Sequence, residues 1–348
     1  MLESVGHEFK GATCLRSLSA LLCIVKSIMK AEEAMKLRSL KSVAVGLGIM
    51  LATVVAPVQA QAPKSIAVRA AYIPVVTWLP AWVAKEKGLF AKHGLDVTLT
   101  VAQNLSLLPG TVGRQFEFVP STAPDLLKAV ASGLDVVAVS GEVFETEDNA
   151  STHLMVAKDS GITSAKDLSG KLIATPTIGG VIHVATLYWL KKNGVDPASV
   201  RAVEVPFPNM ADQLKAKRVD AVEALEPFVG ALKAAGNVSL TAPLLSAGKD
   251  VIFPFWISSG EWARANKGTI KAWKESLDDA IAFIKQNPDE ARSIMAQYTK
   301  LPEAVVKATP FPTYRTAITA KDIELWANVM RDVGQFAATV DPQKLVVQ

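Results

Sequence analysis

Hydroxyl and glycine residues meet at one turn of the chain, where they could bind a small polar ligand. The turn spans residues 175–180 (TPTIGG), follows an apolar segment over residues 172–175, and leads into a predicted helix. Paired glycines let a backbone approach a ligand closely, and the free N–H groups at the start of a helix favour negative or partly negative atoms. The sequence therefore predicts ligand contacts from Thr177, Gly179 and Gly180.

Two carboxylates occur near the end of another predicted strand, in the segment VDAVEALEPF. A carboxylate there would oppose an anionic ligand unless the ligand also carries a donor or a positive charge. We expect Glu223 to contact the ligand and Glu226 to cap a helix or support a hinge. His183 lies in helical register with Leu187 and Leu190, which favours a structural role for this histidine.

Motifs for catalysis or metal binding are absent from the sequence. It contains neither a Gly-x-Ser-x-Gly elbow nor an HExxH motif, and His93, His153 and His183 do not have metal-ligand spacing. Both cysteines, Cys14 and Cys23, precede the segment that predicts export. We therefore expect no catalytic residue, no metal site and no cofactor, and predict that the protein is not an enzyme.

A basic segment followed by an apolar run predicts export through a secretory signal peptide. Met35 begins the basic segment, and Val58 and Ala60 occupy the −3 and −1 positions of a signal-peptidase site. The predicted signal peptide covers residues 35–60 and is cleaved after Ala60. Residues 1–34 are interpreted as a mis-assigned N-terminal extension, with an extended signal-peptide n-region as the alternative.

The charge balance after this segment is close to neutral. Residues 1–60 hold 7 of the 37 Lys and Arg residues and 4 of the 33 Asp and Glu residues, which leaves 30 basic and 29 acidic residues. Such a balance gives no reason to expect nucleic-acid or anionic-membrane binding. No later apolar segment is long enough to cross a membrane.

Strands and helices alternate along the rest of the chain. In the first half, we predict strands over residues 66–72, 95–101, 116–119 and 134–139, and helices over 80–87 and 124–131. In the second half, strands are predicted over residues 153–158 and 172–175 and near residues 202 and 220. An apolar strand over residues 251–258 is followed by helices over 267–285, 288–297, 302–308 and 321–337. This alternation predicts an α/β fold.

A chain that leaves one α/β lobe, builds a second and then returns crosses between the lobes twice. The double connection forms a hinge. We predict that residues 63–152 and 256–348 form a discontinuous lobe 1 and that residues 153–255 form lobe 2.

In this order, and after a signal peptide, these segments resemble the periplasmic solute-binding proteins of ABC importers. Within that group they resemble the nitrate, sulfonate and taurine receptor family, which includes thiamine-pyrimidine-binding-like proteins. The matching pieces are YIP with LPAWVAKEKGLFAKHGLDV, then ASGLDVVAVSG, SGITSAKDLSGKLIATPTIGG, VDAVEALEPF and NPDEA. The resemblance implies a bilobed, type II binding-protein fold with a two-crossover hinge, in the periplasm.

By position, the resemblance also implies which residues line the cleft between the lobes. They are Thr77, Trp78, Ser121, Thr122, Thr177, Gly179, Gly180, Asn209, Met210 and the turn that begins at Glu223. The Trp78 indole could stack on a solute or cap the edge of the sheet. One of the two hydroxyls at residues 121 and 122 could instead cap the following helix.

The function that the resemblance implies is capture of a small organic solute and its delivery to an ABC permease with its ATPase. The cleft chemistry suggests a sulfonate, taurine, a carboxylate or a small heterocycle. We expect a monomer that meets the membrane only through the permease. A periplasmic ligand sensor for a membrane kinase is the alternative, and an exported enzyme is a less favoured one.

Overall fold

Two parallel strands open the part of the chain that the structure describes. The structure is a computed structural model, and it describes residues 65–102 and 105–347. The predicted signal peptide and the extension before it lie outside the described residues. Strand β1 (Ile66–Tyr72) pairs with β2 (Leu95–Val101), with Ile66 opposite Leu95. Both strands have the predicted bounds.

Two helices lie between these strands, and a third follows the next strand. They are α1 (Leu79–Glu86), α2 (Leu89–Lys92) and α3 (Ala123–Ala131). Pro80 lies in the first turn of α1, where its missing N–H leaves no helical hydrogen bond unmade. The strands on either side of α3 are β3 (Val119–Thr122) and β4 (Val136–Gly141).

Strand β3 begins three residues later than predicted. The prediction placed it over residues 116–119 and so ended it before Pro120, because proline cannot donate a hydrogen bond to a sheet. In the structure, Pro120 lies inside β3 and opposite Trp256. Ser121 and Thr122 are therefore the last residues of a strand and not part of the loop after it.

The pair β1-β2 and the three-stranded sheet that contains β3 and β4 are joined by a bridge between Ala70 and Phe118, and together they are called the first sheet below. The chain leaves it through β5 (Val143–Thr146), which belongs to a separate small sheet, and then builds a five-stranded second sheet. The second sheet has five strands, β6 (Thr152–Val156), β7 (Leu172–Thr175), β8 (Arg201–Glu204), β9 (Ala221–Leu225) and β10 (Val238–Thr241). Their order is β10-β6-β9-β7-β8. Its helices are α4 (Val181–Lys192), α5 (Phe207–Lys215) and α6 (Phe228–Ala234).

Two strands bring the chain back to the first sheet. Strand β11 (Asp250–Ile252) pairs antiparallel with β5, and β12 (Pro254–Ser259) pairs antiparallel with both β3 and β4. The sequence predicted one strand over residues 251–258. The strand is interrupted at Phe253, whose N–H donates to the carbonyl of Val143 at 2.9 Å, and β12 begins at a proline.

Helices cover the first sheet in the last part of the chain. They are α7 (Gly260–Ala265), α8 (Lys267–Gln286), α9 (Pro288–Thr299), α10 (Glu303–Ala308) and α11 (Ala320–Asp332). The two-residue strand β13 (Thr313–Tyr314) pairs with β5. Within the described residues, no helix combines the length and the apolar character that a bilayer crossing needs.

Fully buried indoles join these helices to the first sheet. The ring of Trp256 lies 4.8 Å from that of Trp78 and 5.0 Å from that of Trp273 on α8, both with edge-to-face geometry. Phe255 on the same strand is also buried. The aromatic residues of β12 therefore form part of the core, as their apolar surroundings in the sequence suggest.

Gly141 at the end of β4 lies where no side chain fits, and this allows a test of the packing. A Cβ atom there would lie 2.6 Å from the carbonyl oxygen of Arg315 and 2.7 Å from that of Ala317. We expect Gly141→Ala to lower the free energy of unfolding by about 1–3 kcal/mol because the backbone must shift. The measurement is thermal unfolding of the purified variant.

Gly268 in the first turn of α8 provides the matched control. A Cβ atom at this position meets nothing within 4 Å. Gly268→Ala should leave the unfolding midpoint unchanged or raise it slightly, since alanine is the better helix former. Equal midpoints for the two variants would contradict the predicted clash at Gly141.

Candidate functional site

The turn that the sequence singled out lies at the carboxyl edge of the second sheet. It connects β7 to α4, and the parallel neighbour of β7, strand β9, ends at the same edge. Gly179 has a φ of +72°, in the left-handed region, whereas Gly180 has a φ of −72° and is the N-cap residue of α4. The turn therefore requires glycine for its backbone at position 179.

Hydrogen bonds hold the backbone of this turn. The N–H of Gly180 donates to the carbonyl of Thr177 at 3.0 Å, and the N–H of Ile178 donates to the Glu204 carboxylate at 2.9 Å. A Cβ atom on Gly180 would lie 3.1 Å from the Thr177 oxygen, which is tight. Thr177 is partly buried, so it can still meet a ligand at the edge of the sheet.

A lysine from the other half of the fold reaches this turn. Lys128 on α3 donates through Nζ to the carbonyl oxygen of Gly179 at 2.6 Å. The two residues are 51 positions apart in the sequence. A cavity of about 430 Å³ lies beside the contact, and Thr177 and Ile178 form one wall of it. This contact joins elements of the first sheet to the turn of the second, so it can hold the two together.

A buried acid–imidazole pair lies under the start of α4. Glu223 on β9 is 0% exposed, and its Oε1 lies 3.4 Å from Nδ1 of His183. Within the described residues, neither oxygen of Glu223 has a hydrogen-bond partner, and Nδ1 of His183 has none either. Buried polar groups are nearly always paired, so these atoms require an explanation.

A third unpaired group lies on the same face of the sheet. Thr152 begins β6 opposite Leu225, two positions along from the Leu154–Glu223 pair, so the Thr152 and Glu223 side chains share a face. In the described part of the chain, the Thr152 hydroxyl makes no hydrogen bond of ordinary geometry, but it lies close enough to the Glu145 carboxyl to oppose the rise of that group's pKa. The structure thus brings Thr152, His183 and Glu223 to one edge of the second sheet.

The two predicted residues on α5 have different surroundings. Met210 is fully buried in the apolar cluster on the other face of the second sheet, together with Met155 and Val222, and so lies away from Glu223. Asn209 is exposed in the first turn of α5, which follows β8 at the same carboxyl edge of the sheet.

The predicted residues of the first sheet are buried at its own strand ends. Thr77 and Trp78 are each 2% exposed, and Trp78 packs on an indole of the core. Thr122 is the N-cap residue of α3 and donates through Oγ1 to the Asp125 carboxylate at 2.7 Å. The hydroxyl of Ser121 donates to the carbonyl of Thr122 at 3.2 Å.

Burial shifts the protonation of two glutamates at the crossover. It raises the pKa of Glu142 well above its usual value, although the indole N–H of Trp256 donates to the carboxylate at 2.6 Å and opposes the shift. Burial also raises the pKa of Glu145 to about 7. Hydrogen bonds from the Ser151 hydroxyl and from the Ser151 N–H, the latter at 2.8 Å, oppose the shift, as do the N–H and the hydroxyl of Thr152.

Glu226 takes the helix-capping role that the sequence suggested. Its carboxylate accepts from the N–H of Gly230 in the first turn of α6, at 3.1 Å. Burial is the largest influence on this group and raises its pKa. The carboxylate therefore has a structural donor, unlike that of Glu223.

Sequence reasoning did not find Lys128, Thr152 or Glu145. The apolar segment VSGEVFET offered a signal for Glu145, because a carboxylate inside a buried strand must find donors. For Lys128 and Thr152 the sequence offered none, since their roles depend on contacts between distant segments.

Comparison with known proteins identifies the relatives of this chain. Residues 76–291 match the family described as NMT1/THI5 like. A putative binding protein of Brucella abortus is 28% identical over 228 residues, which cover 64% of this chain and 68% of that protein. A bicarbonate transport ATP-binding protein of Synechocystis is 28% identical over 238 residues, 61% of this chain and 34% of that protein. The chain spans between about a quarter and a third of the length of the first curated relatives that it matches.

Solved structures show the same fold. The periplasmic aliphatic sulphonate binding protein of Escherichia coli aligns with a TM-score of 0.68 and 18% identity, over 80% of this chain and 97% of that one. The periplasmic nitrate-binding protein of Synechocystis aligns at 0.66 and 15%, over 81% and 85%. A desulfurization enzyme aligns at 0.58 and 17%, over 81% and 96%. These alignments confirm the predicted binding-protein fold class.

The contact between Lys128 and Gly179 allows a direct test. Lys128→Met removes a charge-assisted hydrogen bond to the turn, so amides of residues 177–181 should exchange with solvent about 5-fold faster or more. Hydrogen exchange read by mass spectrometry measures this. Lys166→Met, at an exposed lysine of the second half, is the control and should change nothing. Unchanged exchange in Lys128→Met would show that the contact does not hold the turn.

The buried carboxyl of Glu145 predicts a pH dependence of stability. Its pKa is about 7 in the folded protein against an ordinary value of 4.5, so the folded state holds the proton more tightly. Its stabilising contribution is complete below pH 4.5 and is lost as the pH rises through 7, about 3 kcal/mol in total. We therefore expect the unfolding midpoint to fall between pH 5 and pH 8.

Variants separate the contribution of Glu145 from those of other groups. Glu145→Gln cannot titrate, so its midpoint should fall less between the two pH values than that of the wild type. Glu147→Gln, at an exposed position two residues further on, should keep the wild-type difference. If Glu145→Gln also kept that difference, the shifted carboxyl would not be the source of the pH dependence.

Proposed function

The chain belongs to the NMT1/THI5-like family, and we propose that it is an exported receptor that binds a small organic solute and delivers it to an ABC permease. The observation that carries this proposal is the group of buried, unpaired polar atoms at the carboxyl edge of the second sheet. In parallel α/β sheets, ligands bind beyond this edge, where loops lead into helices. Glu223, His183 and the Gly179 turn all lie there.

The proposal includes two lobes joined by a hinge. We propose residues 153–255 as lobe 2 and residues 63–152 and 256–348 as lobe 1, the division predicted from the sequence. The five strands β6 to β10 support it, because they form one sheet between β5 and β11.

Binding would work by closure of the two lobes on the solute. The proposed solute contacts come from Thr77, Trp78, Ser121 and Thr122 on one side, and from Thr177, Gly179, Gly180 and Glu223 on the other. A ligand that contacts both sides binds the closed form better and so increases its population. The hydrogen bond from Lys128 to Gly179 supports this mechanism, because it is made only when the turn and α3 meet.

The partners and the compartment are part of the proposal. Named relatives include a putative binding protein and an ATP-binding protein of a transport system, which supports a permease and an ATPase as partners. We propose that the receptor is a periplasmic monomer that meets the membrane only through the permease. The predicted signal peptide supports export.

We propose that the solute is bound without chemical conversion. The relatives and the structural neighbours named as binding proteins support this proposal. The desulfurization enzyme shares the fold at 17% identity. A shared fold at this level of identity does not imply a shared activity.

A thermal-shift screen tests the receptor proposal. The panel contains sulfonates, nitrate, taurine, carboxylates, pyrimidines and amino acids. A solute at about 100 times its dissociation constant should add about 2.7 kcal/mol to the free energy of unfolding and so raise the melting temperature. Recovery of the unchanged solute after incubation is the control for catalysis.

Two outcomes would contradict the proposal. If no solute of the panel raised the melting temperature or gave heat in a calorimeter, the receptor role would lose its support. If a solute were recovered as a different compound, the protein would be an enzyme.

A further inference from the structure

Glu223 differs from the other buried glutamates in the described part of the chain. The other three, Glu142, Glu145 and Glu226, accept hydrogen bonds from an indole, a serine and a backbone N–H. Glu223 is 0% exposed, and neither of its oxygens is paired. Those three carboxylates each have a structural partner, although one oxygen of Glu142 is unpaired, whereas at Glu223 both oxygens are left over for a ligand.

His183 does not account for Glu223. Its Nδ1 lies 3.4 Å from Oε1 of the carboxylate but makes no hydrogen bond to it. One ring nitrogen can donate to one oxygen at most, and an ionised carboxylate has about four acceptor positions. In residues 65–102 and 105–347, no lysine or arginine forms an ion pair with Glu223; its one ion-pair contact is His183.

The position of Glu223 matches the proposed binding edge. Leu154 lies opposite Glu223 in the sheet, and the Thr152 side chain lies on the same face, nearer the edge. The first turn of α4 carries His183, whose Nδ1 lies 3.4 Å from Oε1 of Glu223. The unpaired atoms thus combine acceptors on Glu223 with a ring nitrogen of His183 that can either donate or accept.

We infer that Glu223 determines the specificity of the site, and that the solute presents N–H donors to it, as an ammonium, an amidinium or an amino-substituted heterocycle does. This inference rests on the proposed receptor function and names its substrate class. The two unpaired oxygens of Glu223 are hydrogen-bond acceptors that N–H donors can fill. A sulfonate, nitrate or carboxylate without an N–H group brings only further acceptors to these oxygens, leaves them unpaired and is rejected.

Matched pairs of solutes test the inference on the unaltered protein, expressed from the full chain. The pairs are taurine and ethanesulfonate, β-alanine and propionate, and 4-aminopyrimidine and pyrimidine, each measured by calorimetry. In at least one pair, the member with N–H groups should bind about 10-fold more tightly or better. If ethanesulfonate or propionate bound as tightly as its amino partner, the inference would be overturned while the receptor function stood. If nothing in the panel bound, the receptor proposal itself would fail, and the inference with it.

Glu223→Gln provides the second test, because it keeps the shape of the side chain and replaces one acceptor oxygen by an NH2 donor. We expect the affinity for the N–H solute to fall about 10- to 100-fold. The unfolding midpoint without ligand should stay the same or rise, since Glu223 makes no hydrogen bond in the folded protein that glutamine would lose. If Glu223 were structural, the midpoint would fall and the affinity of the folded protein would not change.

A matched control and a second variant complete the design. Glu147→Gln makes the same chemical change at an exposed position and should alter neither affinity nor midpoint. His183→Gln should weaken binding less than Glu223→Gln, because glutamine retains a donor and an acceptor. If Glu223→Gln does not fold, the solute pairs still decide the question on the wild type.

Discussion

The rest of the structure depends on the paired strands β5 and β11, which carry the chain into the five-stranded sheet and back. They form a small sheet of their own with β13, in which Asp250 lies opposite Thr146 and Ile252 opposite Phe144. Because both connections run together, the residues between them can form a complete sheet with its own helices. The orientation of that sheet then depends on a few strand residues and on contacts such as the one from Lys128. Such a geometry permits hinge motion without loss of either core.

Buried carboxylates are concentrated at and near this crossover, and their partners explain most of them. Glu145 links β5 to Ser151 just before the second sheet, and Glu226 supports the start of α6. A buried carboxylate without partners costs several kcal/mol, so its hydrogen bonds are what make burial possible. Glu223 lacks them, and a folded protein tolerates such a cost most readily where a binding site requires it.

Much of the fold could be predicted from the sequence, because hydrophobic periodicity and turn residues are local signals. Strands β1, β2 and β7 have the predicted bounds, whereas β3 is displaced because Pro120 lies inside it. The turn at Gly179 was also found from its residue types. The unpaired state of Glu223 could not be found in this way, because it depends on which donors the fold brings near, and these come from segments far apart in sequence.

The fold alone does not decide what binds at this edge. Backbones that align at a TM-score of 0.68 share only 18% of their residues, so side chains at the strand ends differ freely while the sheet is kept. The turn before α4 offers N–H donors, as any helix start does, and favours negative atoms. Glu223 on the neighbouring strand β9 adds acceptor oxygens, which favour N–H donors on the ligand. If the solute binds at this edge, as we propose, it meets N–H donors from the turn and acceptors from Glu223, and the side chain at position 223 sets the chemistry that the site can accept.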